Sequence, residues 1–322
     1  MACTPDGTPP PATPARHWAS IGESTFVAGI RLLWAVHRLL GRLPFRLCLY
    51  PVVFAYWACS GLARRSSMQY LQRVEASQRA LGHVPTWRDS LRHFLSFADT
   101  LLDKLLAISG RYRFRQVQVE GRELLQAQAR TGRGGLIVTA HVGCLELCRA
   151  LAEHDGSGFA LTVLVHTLHA QRFNALLRRL DPGSRVRLLQ VTETDASTAV
   201  VLQECIERGE WVAIVGDRVP VRQSKTVALP FLGAEAPFPV GAYVLAALLR
   251  CPLFFMGCVR QGAGHRVCFE RLADSVVLPR KDREGALRTL ASAYVRRLEA
   301  LVRESPFDWF NFFPFWDQVH GQ

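Results

Sequence analysis

The residues best suited to chemistry lie in the stretch 134–148, where a histidine is followed five positions later by a glutamate. The apolar run 136–138 predicts a buried strand that stops before His141, and a helix is expected from residue 144 onwards. Gly143 permits a tight turn between them. A carboxylate can hold an imidazole in one tautomer while the other ring nitrogen takes a proton from a hydroxyl. The pattern therefore predicts a general base formed by His141 and Glu146.

A second histidine–glutamate pair, His265 and Glu270, has the same spacing but a different context. It lies in an alternating stretch that is typical of a strand, where an odd separation puts two side chains on opposite faces. His141 and Glu146 span a strand-to-helix turn, across which side chains can converge. We therefore expect the first pair, and not the second, to act together.

A second block with chemical potential is Gly216-Asp217-Arg218, directly after the strand-like run 211–215. Asp217 and Arg218 can line the same cleft as His141 if their strands lie close together in the sheet. Arg222 and Lys225 follow, and such a cationic loop can hold a phosphate or carboxylate group. A turn with a solvated Asp-Arg pair is the alternative, and the sequence leaves both open.

Two further segments each allow two interpretations. In 229–241, Gly233 suits a turn, prolines stiffen the chain, and a helix is expected near Gly241, whose free N–H groups would form an anion site. The alternative is a rigid strand-to-helix connector. The stretch 307–316 contains seven aromatic residues in ten positions; it either walls an acyl channel or enters lipid, or it closes the core.

These blocks need a scaffold, and strand-like and helix-like patterns alternate along the chain after about residue 110. The alternation predicts an α/β fold, with a central, mostly parallel sheet flanked by helices and ligands bound beyond the carboxyl ends of its strands. The predicted strands are 114–119, 136–140, 160–165, 186–189, 211–215, 227–231, 253–259 and 267–269. The predicted helices are 121–131, 144–154, 169–180, 195–208, 238–250 and 283–303.

The N-terminal third has a different composition. We expect residues 1–17 to form a disordered tail, 18–110 a helical membrane-associating region, and 111–322 the α/β domain. The segment 26–40 fits a basic amphipathic helix at a membrane interface. The segment 47–62 is free of charge but short for a span and contains Pro51, so an interfacial anchor, a true span and a core helix all stay open.

The overall composition limits the kinds of partner that the protein is expected to bind. A net charge of +12 implies an acidic partner: nucleic acid, anionic lipid or an acidic carrier protein. The basic residues are dispersed and form no nucleic-acid-binding motif, which argues against nucleic acid. A content of 49% hydrophobic residues favours a membrane surface with anionic lipid. Nine cysteines without a Cys-x2-Cys pair indicate a reducing compartment. No metal cluster and no dinucleotide fingerprint is found, so no metal and no cofactor is expected. Cys144 is expected to pack in the core.

Taken together, the blocks resemble the bacterial lysophospholipid acyltransferase superfamily, in particular its lipid A biosynthesis (lauroyl/myristoyl-type) branch. The resemblance covers about residues 18–317. It rests on His141-Val-Gly-Cys-Leu-Glu146 as a His-x4-acid motif, on Gly216-Asp217-Arg218, on Phe231-Leu-Gly233 with Pro239-Val-Gly241, and on the closing aromatic residues. It implies a glycerolipid acyltransferase-like fold.

The resemblance also implies a function. A membrane-bound enzyme at the cytosolic face of the cell inner membrane would move a fatty acyl group from an acyl carrier protein or coenzyme A thioester to a hydroxyl of a lipid acceptor. His141 would be the base and Glu146 its orienting partner. Backbone N–H groups near Gly143 are candidates to bind the oxyanion that develops on the substrate. Asp217 and Arg218 fall on the second block of the family, and Phe231, Gly233 and Gly241 on the third, near the acceptor. A catalytically silent binding protein and a thioesterase are the alternatives. The acceptor is left open, since 76–83 departs from the usual pattern of the lipid A enzymes.

Overall fold

The structure, a computed structural model, describes residues 42–108, 112, 116–148, 160–165, 186–190, 196–219 and 225–317 of the chain. The expected tail at 1–17, the amphipathic segment 26–40, the predicted helix 169–180 and Arg222 lie outside the described residues.

The described N-terminal part is helical, as the sequence predicts. It consists of α1 (Arg42–Cys59), α2 (Gly61–Gln78) and α3 (Trp87–Ile108). Phe45 and Leu49 of α1 are buried against Leu102 and Leu106 of α3. Within the described residues, no single helix is both long and apolar enough to cross a membrane. The pair Pro44–Cys59 and Gly61–Gln78 has the length and composition only when counted together, and the two are bent by 93°.

The described strands form a seven-stranded sheet and a separate hairpin. The strands are β1 (Val117–Glu120), β2 (Leu136–Thr139), β3 (Leu161–Val165), β4 (Val186–Gln190), β5 (Trp211–Val215), β6 (Thr226–Phe231), β7 (Ala234–Pro239), β8 (Leu253–Gln261) and β9 (Gly264–Ala273). The sheet order is β1-β9-β8-β2-β5-β3-β4. Every neighbouring pair is parallel except β8 and β9. The predicted α/β fold with a mostly parallel central sheet is confirmed.

Helices pack around this sheet because its strands are apolar on both faces. All four residues of β2 are buried, as expected for a central strand of a parallel sheet that is covered on both sides. The described helices of this part are α4 (Arg122–Arg130), α5 (Ala196–Glu207), α6 (Gly241–Leu248) and α7 (Arg283–Glu304). The largest apolar core includes residues of α2, α6, α7, the inner strands and the C-terminal aromatic segment.

The hairpin of β6 and β7 differs from the expectation of a stiff loop after residue 231. Residues 234–239 pair antiparallel with β6 in spite of Pro237 and Pro239. Two prolines are tolerated because a two-stranded hairpin leaves one side of each strand without a ladder partner. Leu232 and Gly233 form the turn with positive φ angles of 50° and 79°, the hand that matches the twist of a hairpin.

Candidate active site

His141 and Asp217 meet at the carboxyl edge of the sheet because the strands that lead to them are neighbours. β2 and β5 pair in parallel, with Thr139 beside Val215. The residues two positions beyond these strand ends therefore leave the sheet side by side. From the sequence, this meeting depended on whether the two strands lie close together, and the strand order makes them neighbours.

The carboxylate of Asp217 is almost fully buried, at 1% exposure, but it accepts three hydrogen bonds. Its Oδ1 lies 2.8 Å from Nδ1 of His141. Its Oδ2 accepts the backbone N–H of His141 at 2.9 Å and the indole N–H of Trp309 at 2.8 Å. Burial by itself raises the pKa of a carboxyl group, but the His141 imidazole, the charge of Arg218 and the indole outweigh it and lower the pKa of Asp217 to about 2. Asp217 is therefore a charged acceptor at neutral pH.

This acceptor fixes the tautomer of His141. A charged carboxylate can only accept hydrogen bonds, so the neutral imidazole carries its proton on Nδ1 and leaves the lone pair on Nε2. The pKa of His141 is lowered by burial and then by the charge of Arg218, against the attraction of Asp217. The side chain nevertheless keeps 35% exposure. The result is a solvent-accessible imidazole that is largely neutral at pH 7 and can accept a proton at Nε2.

Glu146 contacts Lys104 of α3. Its Oε1 lies 3.3 Å from Nζ of Lys104, and its Oε2 accepts the thiol of Cys144 at 3.8 Å. Among the described contacts, none joins Glu146 to His141. From the sequence, Glu146 was expected to make the orienting contact on the imidazole, but in the structure Asp217 makes that contact. The physical reason is that the adjacent strand brings a buried carboxylate directly against Nδ1.

Among the described residues, two cations act on the imidazole, Arg218 and Lys104, and each lowers the pKa of His141. Nη2 of Arg218 donates to the carbonyl of Phe310 at 3.1 Å, and the guanidinium lies 5.4 Å from the ring centre of Phe313. Burial lowers the pKa of Arg218, but a guanidinium stays protonated at neutral pH. Burial lowers the pKa of Lys104 as well, but Glu146 outweighs it, so this pKa is raised. The imidazole therefore lies in a positive electrostatic environment.

Gly143 packs closely against the backbone of Cys258 in β8. Its φ angle is +56°, and a Cβ at this position would lie 1.8 Å from the carbonyl oxygen of Cys258, so no larger residue fits. Its N–H donates to the backbone carbonyl of Asp308 at 2.8 Å. The Gly143 N–H is therefore already used within the protein, and an oxyanion role for other backbone N–H groups near it stays a prediction.

The C-terminal aromatic segment closes the core. Trp309, Phe315 and Trp316 are each less than 5% exposed, and their rings contact one another. Trp309 also pairs with Val142 beside His141 as an isolated bridge. Of the two interpretations left open by the sequence, burial favours core closure, and the indole of Trp309 gives this segment a place in the site.

The third block does not reach the imidazole in the described contacts. Phe231 is fully buried and packs its ring on Trp309, 5.2 Å between centroids. It lies behind the site against Trp309, and a contact of Phe231 with substrate stays a prediction. Gly233 forms the hairpin turn, and Gly241 begins α6 in an exposed position with open space around it. Nζ of Lys225 pairs with the exposed Glu284 at 2.8 Å.

His265 and Cys144, which the sequence did not favour for chemistry, both lie among protein groups. Nδ1 of His265 hydrogen-bonds Tyr112 at 2.8 Å, and Glu270 pairs instead with Arg297. Cys144 is fully buried, and burial raises its pKa well above the usual value, which disfavours the nucleophilic thiolate.

Three residues that contact the site or the turn 141–143 were missed from the sequence: Lys104, Asp308 and Trp309. Lys104 carries no local pattern that distinguishes it from other charged residues of an amphipathic helix. Asp308 and Trp309 lie in the aromatic segment that was singled out, but nothing in their spacing relates them to a residue almost 170 positions earlier. The one usable indication of a role was the position of Asp308, a charged residue inside an apolar stretch.

Residues 104–318, about two thirds of the chain, match the family described as bacterial lipid A biosynthesis acyltransferase. The matched range starts at Lys104, includes His141, Glu146 and Asp217, and ends just after the aromatic segment. No curated protein matches the chain.

Proposed function

The chain belongs to the bacterial lipid A biosynthesis acyltransferase family, and from this premise we propose how this acyltransferase works: it moves a fatty acyl group from an acyl-carrier-protein or coenzyme A thioester to a hydroxyl of a lipid acceptor. The observation that carries the proposal is the accessible His141 imidazole, held through Nδ1 by the buried carboxylate of Asp217 at 2.8 Å. A thioester is already activated, so the proposed reaction requires neither a metal nor a redox cofactor.

In the proposed mechanism His141 is the general base. Its Nε2 takes the proton of the acceptor hydroxyl as the oxygen forms a bond to the thioester carbonyl carbon. The tetrahedral intermediate then collapses, the carbon–sulfur bond breaks, and the imidazolium returns the proton to the leaving thiolate. A positioned base is worth about 10²–10⁴ in rate. Asp217 holds the productive tautomer and stabilises the imidazolium between the two steps.

We assign an electrostatic role to the remaining charged residues of the site. Arg218 and Lys104 keep the imidazole neutral before reaction, and they would favour the negative charge that develops on the thioester carbonyl oxygen. Glu146 holds the ammonium group of Lys104 at 3.3 Å and so keeps this cation near the site. In this proposal Glu146 of the His-x4-Glu motif acts through Lys104.

We further propose that α1 docks on the cytosolic face of the inner membrane. Four of its large side chains are half or more exposed, although they are apolar or aromatic: Leu47, Val52, Phe54 and Tyr56. The helix carries no charge between Arg46 and its end at Cys59, and Arg64 and Arg65 follow. An apolar face flanked by basic residues suits an interface with anionic lipid. The free thiols of the described cysteines agree with a reducing compartment.

The proposed activity is tested with the purified full chain, a radiolabelled acyl thioester and a defined hydroxyl-bearing lipid in mixed micelles. Labelled acyl-lipid is the expected product. Free fatty acid alone would show a thioesterase, and unreacted thioester with retained lipid binding would show a silent binding protein. The His141→Ala variant should lose about 10²–10⁴ in rate. The exposed His83, changed to Ala, is the matched control and should keep wild-type turnover.

A further inference from the structure

A buried histidine that the proposed mechanism does not use lies behind the site. His93 on α3 is fully buried. Its Nε2 lies 2.9 Å from the backbone carbonyl oxygen of Trp309, and its Nδ1 lies 3.0 Å from Oγ of Ser67 on α2. His93 precedes the family-matched residues 104–318, so membership of the family assigns it no role.

The hydrogen bonds around His93 form one chain with a fixed direction. At the far end the indole N–H of Trp57 donates to Oγ of Ser90 at 3.1 Å, and Ser90 donates to Oγ of Ser67 at 3.1 Å. The Trp309 carbonyl can only accept, so Nε2 of the neutral His93 ring carries the proton and donates to it. Nδ1 is then an acceptor, and the hydroxyl of Ser67 donates to it.

The charge state of His93 agrees with this direction. Burial lowers its pKa to about 4, against the attraction of the Trp309 carbonyl and of Asp308. The aromatic rings of Tyr70 and Phe312 pack on the imidazole, 5.3 and 4.6 Å between ring centroids. His93 is therefore neutral at working pH and acts as a fixed donor.

From Trp309 the contacts continue to the base. The Trp309 carbonyl accepts from His93 and from the N–H of Asn311 at 2.9 Å, while its indole N–H donates to Oδ2 of Asp217 at 2.8 Å. Asp217 in turn holds Nδ1 of His141. Trp309 is thus held by His93 of an N-terminal helix, and its indole in turn holds the carboxylate that contacts His141.

We propose that His93 is a positioning residue for acyl transfer, which fixes Trp309 so that its indole holds the carboxylate of Asp217 in place on His141. The proposal rests on the proposed function of His141 as the base. Without the His93 donor, the Trp309 carbonyl keeps only the hydrogen bond from Asn311, so the indole is held less firmly against Asp217. Asp217 then loses a donor, becomes more basic, and binds the imidazolium more tightly. Arg218 and Lys104, the other charged groups that act on His141, are unchanged.

The experiment compares pH–rate profiles of kcat/KM for the full chain with the acyl thioester and lipid acceptor. His93→Leu should lower kcat about tenfold, the effect of about one weakened hydrogen bond. It should also move the acid limb to higher pH by about half a unit. His93→Gln, which keeps a donor near the position of Nε2, should restore both. Trp309→Phe, which removes the indole N–H directly, should move the limb in the same direction as His93→Leu.

The matched control is Leu102→Ala, a cavity at another fully buried position of α3, which should leave the acid limb in place. A lower rate in His93→Leu with an unmoved limb would show a purely structural role and overturn the proposal. If that variant does not fold, His93→Asn, which is too short to reach the carbonyl, decides by the same two readouts. An inactive His141→Ala beside an unaltered His93→Leu refutes only the role of His93, whereas an active His141→Ala removes the proposed base itself.

Discussion

Replacing Asp217 by asparagine changes one charged oxygen to an amide nitrogen without changing the shape of the side chain. We expect kcat to fall by about 10⁴-fold, the loss seen when the carboxylate of a catalytic triad becomes an amide, with little change in KM. The reason lies in the three N–H groups that surround this carboxylate, two of them on Oδ2 and one on Oδ1.

The amide can be placed in two ways, and both harm the base. With its oxygen in the place of Oδ1, its NH₂ group meets the backbone N–H of His141 and the indole N–H of Trp309, which leaves two buried donors unsatisfied at about 1–3 kcal/mol each. With its oxygen in the place of Oδ2, only the imidazole is affected. The second arrangement therefore has the lower free energy, and in it Nδ1 of His141 must become an acceptor. Its proton moves to Nε2, the atom that has to be free in the proposed mechanism.

The assay measures kcat and KM of Asp217→Asn beside Glu146→Gln. Glu146 pairs with Lys104 at a partly exposed position, so the second variant should lose about fivefold or less, as for exposed ion pairs. Thermal unfolding of both variants checks that each is folded. A larger loss in Glu146→Gln than in Asp217→Asn would refute the reasoning, because it would show that the motif glutamate orients the imidazole.

Three further predictions follow from the same geometry. Because the pKa of His141 is lowered from 6.5, the neutral base persists to lower pH, and the acid limb of kcat/KM should have its midpoint below pH 6.5; a midpoint above 7 in a pH–rate profile would contradict this. Val52→Asp with Phe54→Asp should reduce flotation of the protein with anionic vesicles by about tenfold or more, since two exposed apolar side chains are lost, and unchanged flotation would exclude α1 as the docking face. Gly143→Ala should lower the free energy of unfolding by about 3 kcal/mol or more, since its Cβ would meet the Cys258 carbonyl, whereas Gly241→Ala, with open space around it, should be close to neutral in the same denaturant titration.

Much of the scaffold could be predicted from local patterns. Short branched runs such as 136–138 and 211–215 predicted buried strands, and both are strands of the central sheet. The alternation of strands and helices predicted the α/β class and placed His141 and Asp217 at strand ends. Spacing on a strand also separated His265 from Glu270, which the structure pairs with different partners. Each of these conclusions depends on residues within a few positions of one another, and periodicity records such local relations.

The identity of the groups around the imidazole was decided by the tertiary structure. Glu146 is five residues from His141 but contacts Lys104, whereas Asp217, 76 residues away, contacts Nδ1. This exchange follows from the order of strands in the sheet, which makes β2 a neighbour of β5.

Trp309 lies near the C-terminus and His93 on an N-terminal helix. They meet because the C-terminal aromatic residues are buried against the N-terminal helices. A sequence pattern fixes which face of an element is apolar, but which distant element covers that face depends on packing over the whole core. The sequence therefore determined the class and the family of this protein and pointed to His141 as the proposed base, and the tertiary structure decided which carboxylate contacts that imidazole and which groups contact that carboxylate.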